Sequence, residues 1–470
     1  MSKKMPGSFV LTLVAAFMTV VASAESVSAS AERKHRVIVL TDIGNEPDDS
    51  ESFVRFLLYT NDLDVEALIA TTSTWQRTRV QPQLLRERVD AYAKVLPNLR
   101  RHADGFPDAA HLAGVIRSGS PVFGMEGVGQ GKDTEGSRRI IDVVDRDDAR
   151  PVYISVWGGA ADLAQALWTV RATRTSDQVK QFVAKLRVYS ISDQDDAGPW
   201  ARQNFPELFW IASVHGWGQY QLAAWIGISG DVRRPDKWPA SETVTNEWLE
   251  KRVRRGALGA LYPPHVYIME GDTPSFLGLI RNGVNDPEHP EYGGWGGRYA
   301  PVYEGAGHRA DTSDVYVDSD GKRWASNQAT VFRWRLAFQN DFAARMGWTV
   351  TSERSKANHS PALVLNGEAG TKSVPIQAKA GSTVQLDADG SKDPDGDRLA
   401  YRWWQYPEPS NKPGELAPAL TIAGTNDASA RFIAPAVKRP TVYHVILEVT
   451  DSGSPMLTSY RRALVTVLPD

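Results

Sequence analysis

Val37 to Leu57 reads VIVLTDIGNEPDDSESFVRFL. It opens as a β-branched apolar run, passes through an acidic knot from Asp42 to Asp49, and ends as an amphipathic segment. An apolar run, a turn and then a helical period mark a buried strand feeding a helix. The alternation continues to about Trp348. VEALIATTST (Val65–Thr74) reads as a second strand and QPQLLRERVDAYAKVL (Gln81–Leu96) as a second helix. PVYISVW, AADLAQALWTV and KLRVYSIS follow as strand, helix and strand, and PPHVYIMEGD with SFLGLI (Pro263–Ile280) as a further strand–helix pair. Such a series predicts an α/β fold, a mostly parallel doubly wound sheet with helices on both faces. Ligands of such sheets sit beyond the carboxyl ends of the strands, where the knot stands.

After NHSPALVLNG (Asn358–Gly367) the texture changes. STVQLDADGS, LAYRWWQYP, ARFIAPAV, TVYHVILEVTD and RRALVTVLP are short alternating runs between Gly, Pro, Asp and Ser turns. They predict a smaller all-β, immunoglobulin-like sandwich. At the other end, Lys3-Lys4, the apolar Phe9–Val21 and Ala22-Ser23-Ala24 have the form of a cleavable signal peptide. The expected plan is a signal peptide over 1–24, an α/β domain over 35–357 and a sandwich over 361–470. A secreted or periplasmic protein follows, without stable membrane association, because Phe9–Val21 is short for a bilayer span. The absence of Cys removes disulfides, thiolate metal sites and thiol catalysis together. A net charge of −3 gives no electrostatic case for nucleic acid. The 15 Trp are the compositional signal, since exposed Trp is a platform for sugar rings and buried Trp is packing.

The knot places four carboxylates, Asp42, Glu46, Asp48 and Asp49, within eight residues. Acids in a helix's first turn complement its dipole, which accounts for Asp48, Asp49 and Glu51. It does not account for Asp42 at the strand end. Converging carboxylates are also relieved by a hard cation, and oxygen-rich, Cys-free surroundings suit Ca²⁺ or Mg²⁺. Helix capping and metal-assisted catalysis both remain open on the knot alone.

Strand, Asp-x-Gly, then paired Asp opening a helix resembles the amino-terminal signature of nucleoside hydrolases, D-x-D-P-G-x-D-D. Asp42, Gly44, Asp48 and Asp49 are kept, Leu40 replaces the earliest Asp, and the loop has two extra residues at Asn45-Glu46. LIATTSTW, FGMEGVGQG, the run Arg138–Leu167 and IMEGDTPSFLGLI line up with later family segments in chain order. TDIGNEPDDSES, TSTWQ, WGGAADLAQALW, EGDTPSFL and NDPEHPEYGGWGGRY, with the terminal domain, look closest to the nucleoside-hydrolase-like, cellulose-binding protein family.

The resemblance implies a nucleoside-hydrolase-type sheet and a calcium site. Asp42, Asp49 and Asp272 would be side-chain ligands, and Ala161 would offer its carbonyl. Asp42 would be the base for water and Asp48 would meet the sugar. The departures point away from nucleosides. Gly271 replaces the His that helps a nucleobase leave, Trp75 replaces a ribose-binding Asn, Phe123 replaces another His, and Glu126 an Asp. Trp at a ribose position favours stacking on a sugar face.

Glu46, Trp75 and Glu126 are therefore expected at the substrate. Asp193, in SDQDDAGPWARQNFP, is expected there too or paired with Arg202. The glycine-rich run Asp286–Gly305 would bring Trp295, Arg298 and Tyr299 to the cleft, with Glu288 and Glu291 as candidate acids. DPDGD (Asp393–Asp397) is a turn with candidate calcium ligands but no EF-hand, for want of the terminal Glu. Trp403 and Trp404 point to opposite faces of a strand, so one belongs to a core. The expected ligand is a saccharide or glycoside, cellulose among the candidates. The leading expectation is a calcium-dependent hydrolase of N-glycosyl or glycosidic bonds, and the alternative is a non-catalytic carbohydrate-binding protein.

Overall fold

The structure is a computed structural model that describes Met1, 33–216, 218–410 and 417–469. The signal-peptide reading lies outside the described residues, apart from Met1. Lys34–Asp470 forms one compact unit. Its strands in chain order are β1 (His35–Thr41), β2 (Leu63–Ala70), β3 (Ile116–Ser118), β4 (Val152–Val156), β5 (Leu186–Ser190), β6 (Phe209–Ala212), β7 (Tyr299–Pro301) and β8 (His308–Asp311). They form one sheet in the order β3-β2-β1-β4-β5-β6-β8-β7, parallel except for β7.

β1 shows why these residues make a central strand. Val37 and Val39 face one apolar core and Ile38 and Leu40 the other, all fully buried. Both faces must be covered, so the strand is apolar throughout instead of alternating. Helices α1 (Asp48–Leu58) and α2 (Pro82–His102) cover the first face. Helices Glu135–Asp145 and Ala161–Thr173 cover the second. Strand order reverses between β1 and β4, the switch point where such sheets open a crevice.

Two local expectations change. Pro263–Asp272 is a loop, followed only by the short helix Pro274–Leu277. Two consecutive prolines withhold the backbone donors a central strand needs. The glycine-rich run Asp286–Gly305 lies across the face of β4–β6 instead of at the crevice. There it covers Tyr153, Tyr189 and Ile211, enclosing about 60 Å³, room for water and not for a sugar. It does the covering work a helix does elsewhere.

The carboxy-terminal strands form a four-stranded sheet and a two-stranded partner around their own core. Trp403 is in that core; Trp404, on the opposite face, lies 5.9 Å from Trp334 of the α/β part. Tyr460 N donates to Asn282 O, and Arg462 Nη2 donates to the carbonyls of Val284 and Gly293.

Candidate functional site

Asp42 follows the last residue of β1 and is 4% exposed. Its carboxylate accepts from Ser73 Oγ. That oxygen in turn accepts from the backbone of Trp75 and Gln76, and Gln76 Nε2 donates to Asp42 O. The turn after β2 is thereby pinned to the knot, and Trp75 stands 54% exposed at its rim. Asp48 and Asp49 open α1, and Asp49 accepts from Thr41 Oγ1.

Asp272 arrives from the loop. Glu270, two residues before it, is left-handed at φ 56°. Glu270 is held by Arg55 Nε at 2.7 Å, by donation from Tyr262 and Thr273, and by its own N–H on Glu51 Oε2.

Carboxylate oxygens of Asp48, Asp49 and Asp272 lie within 4.8 Å of one another. Asp272 Oδ2 is buried without a hydrogen-bond partner, and no Arg or Lys pairs with Asp42, Asp48, Asp49 or Asp272 among the described residues. Burial first, then mutual repulsion, pushes Asp49 and Asp272 well above the carboxylate range and Asp48 up to about 7. Burial raises Asp42 to about 6 against the pull of Ser73, and raises Glu46 as well. An orphaned buried oxygen among unpaired carboxylates fits a hard divalent cation. Asp42 adjoins this trio. Ala161 is buried as the first residue of its helix, so its carbonyl enters the helical ladder.

Two glycines permit the approach of neighbours. A Cβ on Gly158, just past β4, would meet Asp42 Oδ1 at 2.6 Å. A Cβ on Gly271 would meet Asp48 Oδ2 at 2.8 Å and Trp225 Cζ3 at 3.5 Å. No larger residue fits at 271 without displacing one of them.

A cavity of about 430 Å³ opens beyond the strand ends, its lining separate from the cluster's carboxylates. Arg77 and Phe123, beyond β2 and β3, line one side; Ser192, Asp193, Asp195, Asp196 and Pro199, after β5, with Ser213, Val214, His215, Gly216, Gly218 and Tyr220, after β6, line the other. Its walls therefore straddle the ends of β1 and β4. Tyr220 belongs to its lining and is near enough for Asp42 and Glu46 to raise its hydroxyl pKa further, after burial and Asp193.

The remaining expected residues sort unevenly. Glu46 and Trp75 are at the knot. Asp193 lines the cavity but is paired with Arg202 at 2.6 Å. Glu126 is exposed on a short helical turn and is not among the cavity's lining residues. Trp295 is 2% exposed and packs on Phe338, a core position in place of the expected cleft. Arg298 is likewise corrected, since it is buried on Asp314 at 2.7 Å. Tyr299 is buried against Tyr189. Glu288 pairs with Arg187 and Glu291 with His289, both away from the cluster. Sequence reasoning missed Ser73, Gln76, His215, Tyr220, Trp225 and Asp311. Ser73, Gln76 and His215 are marked only by following strand ends, Tyr220, Trp225 and Asp311 carry no mark of their own, and β6 and β8 do not read as strands.

Residues 36–299 match the model of the cellulose-binding Sde182, nucleoside hydrolase-like domain, and residues 383–467 that of the cellulose-binding protein Sde0182, C-terminal domain. A solved nucleoside hydrolase-related hypothetical protein from Saccharophagus degradans, associated with carbohydrate metabolism, is 37% identical. It covers 93% of this chain and 100% of its own, with a TM-score of 0.78. Far more distant is the type III effector XopQ complexed with adenosine diphosphate ribose, at 12% identity, 69% and 95% coverage and a TM-score of 0.31. No curated protein matches. With half its length under the first family model and the overlap with the second, the chain belongs to the nucleoside hydrolase-like, cellulose-binding, carbohydrate-associated family.

Proposed function

We propose that the protein is a secreted, calcium-dependent hydrolase of glycosidic or N-glycosyl bonds in saccharide material. The observation that carries this reading is the convergence of Asp48, Asp49 and Asp272, without a cationic partner, beside a cavity over the switch point. Calcium bound there would polarise a water and offset the charge of the cluster. Asp42, held by Ser73, takes the water's proton as general base. The carboxylates of Asp48 and Asp42 face the positive charge that develops at the anomeric carbon. Trp75, exposed at the rim, offers its face to a neighbouring sugar.

The test is hydrolysis of a panel of nucleosides and glycosides with calcium or EDTA present. Wild type should act and Asp42→Asn should lose at least about a hundredfold in kcat. Equal activity of the two would sink the mechanism. The exposed Trp75 and the lack of any side chain at Gly271 favour a second reading, a non-catalytic cellulose-binding protein. Retention on insoluble cellulose with no released sugar under any condition would select it.

A further inference from the structure

His215, on the cavity wall, faces an aspartate behind it that the cluster does not use. His215 follows β6 and lines the cavity, with its side chain 17% exposed. Its Nε2 lies 3.3 Å from Asp311 Oδ2, at the end of β8. Asp311 Oδ1 accepts from Ser213 Oγ, and Oδ2 accepts from Ala224 N at 3.1 Å. Burial pushes the Asp311 carboxyl up, and the donors on both its oxygens offset part of that push. Nε2 has no hydrogen-bond partner among the described residues and stands within ion-pair range of Asp311, so the carboxylate holds the ring by charge when both nitrogens carry protons.

The rest of the lining suits a hydroxylated ligand. Tyr220 Oη is buried there without a hydrogen-bond partner, Asp193 and Asp196 border it, and Arg77 lies over the Phe123 ring at 4.3 Å. A volume of about 430 Å³ is in the range of ligand pockets, about 300–1,000 Å³. Trp75, after β2, and His215, after β6, stand on opposite sides of the ends of β1 and β4.

We propose that His215, held by Asp311, is the proton donor to the departing group, and that this cavity is the subsite for a departing sugar or other hydroxylated group. The inference rests on the hydrolytic reading above. In the step, the bond from the anomeric carbon to the leaving oxygen breaks and its electron pair goes to that oxygen. The oxygen takes the Nδ1 proton of the His215 imidazolium, leaving neutral imidazole. Water forms the new bond to carbon and its proton passes to the Asp42 carboxylate. One water is added across the bond, and Asp42 returns its proton to His215 through solvent.

A good leaving group needs no proton, so substrate pairs isolate the role. Full-length wild type, His215→Ala and His215→Gln are assayed with calcium on a nitrophenyl glycoside and on an unactivated saccharide of the same sugar. Both variants should lose at least about a hundredfold in kcat on the saccharide and less than about fivefold on the nitrophenyl substrate. Equal losses on both substrates, or no loss on either, would overturn the assignment while leaving the hydrolytic reading intact. Wild type inactive on every glycoside and nucleoside would overturn both. Circular dichroism of the two variants confirms that folded protein was assayed.

Discussion

Asp272→Asn should have opposite effects with and without a divalent cation. Oxygens of Asp48, Asp49 and Asp272 are within 4.8 Å of one another. Two unit charges at that separation repel by about 3.5 kcal/mol at an effective dielectric of 20. Partial protonation relieves part of this, so removing one charge should stabilise the cation-free protein by about 1–3 kcal/mol at pH 8. These carboxyls titrate higher folded than unfolded, so the folded state binds more protons above the ordinary carboxylate range, up to about pH 7 for Asp48. Wild-type stability in EDTA should therefore fall as pH rises through that window, and the variant's should fall less. With calcium at a hundred times its Kd, wild type gains about 2.7 kcal/mol, and the variant loses most of that gain. At this chain length each kcal/mol moves Tm by about 1 °C, so differential scanning calorimetry in EDTA and in calcium should show the two curves exchange order. A variant less stable under both conditions, or a wild type indifferent to calcium and EDTA, would refute the reasoning.

The tryptophans divide by burial. Trp75→Ala should leave stability within about 0.5 kcal/mol and weaken oligosaccharide binding by calorimetry about five- to tenfold, whereas Trp295→Ala should cost about 3–5 kcal/mol in denaturant unfolding. A fragment ending at residue 357 removes Tyr406 from Asp314 and Tyr460 from Trp334, so it should melt well below the full chain. Identical melting of the fragment would show that the sandwich does not support the α/β part.

The sheet was legible because its strands are buried on both faces and therefore read as apolar runs, as in Val37–Leu40. Phe209–Ala212 and His308–Asp311 escaped because they are four residues long, and His308–Asp311 has no helix beside it in sequence. The acidic knot was legible because its carboxylates are adjacent in the chain. The glycine-rich run misled because composition does not tell a ligand loop from one that covers a sheet. Trp295 and Arg298 would look alike in either, and the choice rests on Phe338 and Asp314, which are distant in sequence. His215 and Asp311 were illegible for the same reason, as they meet only when β6 pairs with β8.

Capping alone does not explain how Asp272 is held. A buried, left-handed Glu270 costs about 1–3 kcal/mol. It persists because Arg55, Tyr262 and Thr273 fix its side chain while Glu51 takes its N–H. The result is a third carboxylate set against two others, with one oxygen left unpartnered in the interior. Helix α1 gains its dipole complement from Asp48, Asp49 and Glu51 without any of this. Arg55 is near, yet it is turned to Glu270 and away from the cluster. A fold that places its buried cation one layer beneath the repelling carboxylates has kept the charge at the cluster available. Such preorganisation suits an exogenous cation, whose binding would then require little rearrangement.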